Sequence, residues 1–172
     1  AAAGAPSLFY PQIAEQLGLV PVATTLVFAV YTFTLLAALL YLGPLSDHIG
    51  RRPVVTAGSL ALALSLAMFW FADSLATLLV ARALQGLAAG LLIPALSAMM
   101  IDFEPPSHPN IAALWNTIGP MIGLGTGALG AALLLDLTPE PTAAVFGLLV
   151  LAFLIVAATV WITPELVPKT RL

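Results

Sequence analysis

Gly43-Pro44-Leu45-Ser46-Asp47-His48-Ile49-Gly50-Arg51-Arg52-Pro53 lies between two long apolar runs. It holds two of the chain's five Lys and Arg residues and one of its eight acids. In a chain that is 61% hydrophobic and only 8% charged, such a cluster marks a point where the polypeptide leaves a membrane and turns back. Globular domains carry about 25% charged residues, whereas a mean hydropathy of +1.09 describes a chain whose solvent is mostly lipid. A soluble domain of 172 residues could not hide that much apolar surface in one core. A net charge of −3 without a basic run argues against nucleic acid as a partner. The absence of cysteine excludes disulfides and thiolate metal sites.

A helix needs about 20 apolar residues to cross the hydrocarbon core. Working outward from the charged turn, five such spans are predicted, over residues 22–43, 53–71, 75–101, 111–135 and 143–162. Pro53 opens the second at a position where its missing N–H costs nothing. The breaks at 72–74, 102–110 and 136–139 are short, which suits antiparallel neighbours. Residues 1–20 contain Pro6, Pro11, Gln12, Glu15 and Gln16, too polar and too short to cross alone. They read as the end of a helix that begins outside this chain, and with no initiator methionine or signal-peptide pattern a fragment is expected.

Arg51 and Arg52 follow the first complete span, and Lys169 and Arg171 follow the fifth. Four crossings separate the two pairs, so they share one face. The turns of the opposite face carry Glu15, Asp73, Asp136 and Glu140 and no Lys or Arg. Cytoplasmic loops are enriched in Lys and Arg. An integral, multi-pass protein of the cell (inner) membrane is therefore expected, with the 44–52 loop and the C-terminus in the cytoplasm.

The spacing Gly43-x-Leu45-x-Asp47-x-x-Gly50-Arg51-Arg52 resembles the loop between the second and third helices of the major facilitator superfamily. With residues 1–20 as the end of helix 1 and the five spans as helices 2 to 6, the resemblance covers nearly the whole chain. It implies an all-α transmembrane bundle, the N-terminal half of a major facilitator fold. On physical grounds, Asp47 near the C-terminal end of a helix would want a cation, and Arg51 stands four residues on. Gly43 and Gly50 permit a close approach or a turn. The resemblance implies a latch whose charge contacts break and reform as two halves rock. The plainer reading is a topology anchor.

Arg82 is the one charge well inside a span. Such a residue is expensive in lipid and usually faces a cavity or a bundle interior. Arg82, Gln85, Gly86 and Gly90 fall on one helical face, and Arg-x-x-Gln-Gly resembles a fourth-helix motif of the same family that implies substrate or proton handling. An arginine that snorkels to the interface is the alternative. Asn116, Gly119, Gly123, Gly127 and Gly130 share a face of the next span, where small residues let helices approach closely in lipid. Gly86 and Gly90 offer a matching small face, and Pro120 should kink the helix. Gly119-Pro120-x-x-Gly123 resembles a fifth-helix motif of the antiporter and efflux branches, with departures at Leu124 and Trp115. Thr24, Tyr31 and Thr34 lie near one stripe that either lines a cavity or bonds back to its own helix. Trp70 and Trp161 near span ends suit interfacial anchoring.

No metal-ligand cluster, nucleophile–base pair or phosphate loop is visible, so neither an enzyme nor a cofactor is expected. The expected function is secondary transport of a small-molecule substrate by alternating access, coupled to protons or to a substrate gradient, with proton-coupled efflux as one form. The partners expected are the lipid bilayer and a missing C-terminal half or a second copy. A non-transporting membrane sensor or assembly module is the competing reading.

Overall fold

The computed structural model describes residues 21–163, with Glu15 and Gly18. The remainder of the expected first-helix segment, and Lys169 and Arg171, lie outside the described residues. Among the described residues six helices follow one another, α1 (Pro21–Leu42), α2 (Leu45–Ile49), α3 (Arg51–Trp70), α4 (Leu75–Asp102), α5 (Ile111–Leu137) and α6 (Pro141–Ile162). Five are long and apolar enough to cross a membrane. Together they make an all-α, multi-pass membrane bundle.

The charged turn is more ordered than its polarity suggests. Pro44 leads into the single helical turn of α2, and Gly50, at φ 98°, separates it from α3. That backbone region is closed to most side chains but open to glycine. Helix α3 begins at Arg51 rather than Pro53, so both arginines belong to its first turn. Asp47 lies in the first turn of α2 rather than at the end of the preceding span.

Helices α3 and α4 form the centre. A tight turn joins them, where the Ser74 side chain caps α4 by accepting from the Thr77 backbone N–H at 3.2 Å. Ser65 Oγ donates across to the Ala81 carbonyl at 2.9 Å. One apolar cluster, with Val54, Val55 and Leu62 of α3 against Ala88, Leu92 and Ala95 of α4, fills the seam. Helix α6 lies on the other side of α3, with Phe146 stacked on Phe69 at 6.2 Å between ring centroids.

Helix α1 docks on α4 through glycines. A Cβ on Gly86 would stand 2.1 Å from Thr34 Oγ1 and 2.5 Å from the Tyr31 carbonyl oxygen, and one on Gly90 2.4 Å from Ala38 Cβ. Neither position admits any side chain without moving α1. Sequence had paired these glycines with the small face of α5, but they are taken by α1. On α5, Gly119, Gly125 and Gly130 have nothing within 4 Å of where a Cβ would stand. The helix runs on through Pro120 and is the least buried of the five spans.

Candidate functional site: two arginine centres

The deeper centre is built around Arg82, whose side chain is 1% exposed, as is Gln85 one turn on. Arg82 lies seven residues past Leu75, about 10 Å along the helix from its start. An arginine there requires partners. Its Nη1 donates to Gln85 Oε1, satisfying one end of the fork. Three aromatic rings surround the rest, with Cζ 5.3 Å from the Phe28 centroid, 5.4 Å from Tyr31 and 5.2 Å from Phe69. The quadrupole of an aromatic face attracts a cation, and more strongly when water is excluded. Helices α1, α3 and α4 thus converge on one guanidinium.

Of the residues singled out in sequence, Tyr31, Arg82 and Gln85 come together here. Asn116 stands half-buried on α5 and makes no hydrogen bond among the described residues. Thr34 returns its hydroxyl to the Val30 carbonyl at 2.8 Å, so its polarity is spent on its own helix. Phe28 and Phe69 were passed over because each resembles any other apolar residue of a span. Only their meeting across helices distinguishes them.

The second centre lies where α2, α3, α4 and α6 end. Arg51 Nε stands 2.9 Å from Asp102 Oδ2, and Nη2 3.7 Å from Asp47 Oδ1. Nε has no aligned hydrogen bond, so the Asp102 contact is an ion pair held by charge more than by direction. Helix macrodipoles explain its location. Arg51 is a cation at the positive N-terminus of α3, and Asp102 an anion at the negative C-terminus of α4, each disfavoured alone. Side by side they cancel. Helix α4 has 28 residues, about 42 Å against a hydrocarbon core of about 30 Å, so its length allows an end such as Asp102 to stand outside the lipid.

Asp102 was assigned in sequence to a polar loop, with no role. An acid at the end of a span, on the same face as Arg51 and Arg52, was the available signal. Arg52, beside Arg51, places its Cζ 4.9 Å over the Trp161 ring, tying the start of α3 to the end of α6. Gly43 precedes the short α2 turn, and Leu45 is its first residue. A Cβ on Gly43 would meet the Leu39 carbonyl oxygen at 2.5 Å, and Gly50 supplies the left-handed backbone already described. Gly123 and Gly127 sit half-buried on α5, with Gly127 lining a cleft against α6. No group of three or more His, Cys, Asp or Glu suited to a metal occurs among the described residues.

Comparison with known proteins follows the same lines. The chain is 31% identical over 145 residues to the multidrug resistance protein MdtL of Shewanella sp. (strain ANA-3), covering 81% of this chain and 36% of that protein. It is 35% identical over 124 residues to the multidrug efflux pump LfrA of Mycolicibacterium smegmatis, covering 66% of this chain and 24% of the pump. It is 34% identical over 101 residues to the multidrug transporter mfsB of Aspergillus fumigatus, covering 54% of this chain and 17% of that protein. The chain therefore spans roughly a third or less of the length of these curated relatives. The family profile described as Major Facilitator Superfamily matches residues 1–172, end to end, and the chain belongs to that superfamily.

Proposed function

We infer that this chain is the N-terminal half of a secondary transporter that exports small molecules by alternating access, with proton antiport as the driving reaction. The observation that carries this reading is the Arg51 centre. Asp47, with its side chain 64% exposed, and Asp102 share a single arginine at the ends of three helices. The Asp47 contact is weak enough to exchange, since exposed ion pairs contribute only about 0.2–1 kcal/mol, while the less exposed Asp102 holds the arginine closer. A cluster that holds in one conformation and releases in the other is what a rocking carrier needs at its closed end.

The Arg82 centre would then contribute to the substrate or proton path, with Tyr31 and Gln85 setting its position and Asn116 on the neighbouring span. The relatives named for multidrug transport support a range of drugs as substrates. The 44–52 loop faces the cytoplasm in this reading. Both aspartates near the arginine lie at helix ends, so the membrane-embedded carboxylate for proton exchange is assigned to parts of the carrier beyond the described spans.

The test is efflux of a panel of fluorescent drugs from cells making the complete transporter. Asp47→Asn and Arg51→Gln should each slow efflux at least tenfold at unchanged protein level. Wild-type efflux from both variants would remove the latch from the mechanism. Absence of efflux from the parent protein, against an active relative as control, would remove transport.

A further inference from the structure

Helices α3 and α6 leave an open apolar cleft between them on the outside of the bundle. Two stripes line it, Thr56 and Leu60 of α3 and Leu154, Ala157, Ala158 and Trp161 of α6. Arg52 stands one helical turn before Thr56, over the ring of Trp161. The cleft therefore has an apolar trough, about 12 Å from Arg52 to Leu60 along α3, and a cationic, aromatic mouth.

Thr56 is the informative residue. Thr34, Thr117, Thr126, Thr138 and Thr159 each return their hydroxyl to the carbonyl four residues back. Thr56 does not. It is 9% exposed, and its Oγ1 has no hydrogen-bond partner among the described residues, nor has the buried Nε of Arg52 one turn away. A buried hydroxyl left unbonded is unfavourable, and here two unsatisfied donors lie along one edge of a trough that opens toward lipid.

We propose that this cleft holds one anionic phospholipid, its phosphate against Arg52 and its glycerol ester region at Thr56, with an acyl chain along Leu60, Leu154 and Ala158. Charge complementarity selects this occupant. Among the described residues the mouth carries a cation and no acid, and the ester carbonyls of a phospholipid are acceptors placed about one helical turn below its phosphate. The positive-inside reading puts this mouth in the cytoplasmic leaflet, which is the anionic one. Trp161 sits at the depth where aromatic rings meet headgroups. The site is separate from both the Arg82 centre and the Asp47 and Asp102 pairings, so it does not depend on transport.

The experiment uses the complete transporter in nanodiscs of phosphatidylcholine with Trp161 kept as reporter and the other tryptophans replaced by phenylalanine. Chain-brominated phosphatidylglycerol or chain-brominated phosphatidylcholine is then added at equal, low mole fraction. Brominated phosphatidylglycerol should be enriched about fivefold beside Trp161, the equivalent of about 1 kcal/mol for one basic residue at a membrane surface. Arg52→Gln should abolish the preference. Ala158→Phe, which fills the trough and leaves the charges alone, should abolish it as well. Equal quenching by the two lipids in the parent protein would overturn the proposal. So would no quenching by either, which would mean that another part of the protein or a second copy covers the cleft.

Discussion

Arg82 and Arg51 are chemically the same residue in settings that could hardly differ more. Arg82 is 1% exposed and held by a glutamine of its own helix and three aromatic rings from two others. Arg51 keeps a fifth of its side chain exposed and divides itself between two carboxylates. The first has neutral partners and low-dielectric surroundings, so its contacts are directional and mutually dependent. The second has charged partners, of which Asp47 is well exposed, so that its contact is weak and replaceable. One bundle thus contains an arginine suited to fixing a geometry and another suited to changing it.

The strongest way to break the contrast is to push α1 off α4. Gly86→Leu should destabilise the bundle by about 3 kcal/mol, because no side chain fits against Thr34 and Tyr31. Thermal unfolding in detergent reads this directly. An unchanged Tm would show that α1 is not locked where Phe28 and Tyr31 need it.

A smaller effect separates charge from shape at Arg82. Arg82→Lys keeps the cation but loses the planar fork, at a cost of about 1–2 kcal/mol in stability. Arg82→Met also removes the burial cost of a charge, about 2.5–3.5 kcal/mol in lipid, so it should be the more stable of the two variants. Both should lose drug efflux. A lysine variant as stable as the parent would mean that charge alone matters there.

At the second centre, double-mutant cycles of stability should give about 1 kcal/mol of coupling between Arg51 and Asp102. Between Arg51 and the more exposed Asp47 the coupling should be below about 0.5 kcal/mol. Equal couplings would contradict the geometry. The smallest effect is that of salt. Raising ionic strength from 0.1 to 1 M shortens the screening length from about 10 to about 3 Å, so the Asp47 coupling should fade while the Arg82→Lys penalty stays constant.

These two centres also show what a sequence of this kind reveals. Hydropathy and turn residues were enough for the bundle, because in lipid each span must satisfy its own backbone. The motif around Gly43 and Arg51 was legible because its residues are close in sequence. Asp102 was not, since 51 positions separate it from Arg51 and only the packing of α3 on α4 brings them together. The same holds for the Phe28, Tyr31 and Phe69 rings around Arg82. The pairing of Gly86 and Gly90 with α5 missed for a related reason. A small face states that something will come close but not which helix it is, and α1 took the place.

The polar cross-links between α3 and α4 bear on how the chain enters a membrane. Ser65 bonds to Ala81, and Arg82 rests on Phe69, so each helix carries groups that find partners on the other. Entering alone, α4 would carry Arg82 into lipid beside Gln85 of its own helix; entering with α3, it gains the Phe69 ring as well. Membrane integration of a nascent chain halted after Trp70 or after Asp102, with and without Arg82, would read this difference. Joint insertion would give the four residues between Trp70 and Leu75, where Ser74 caps α4, a part in biogenesis, holding the pair together as it enters.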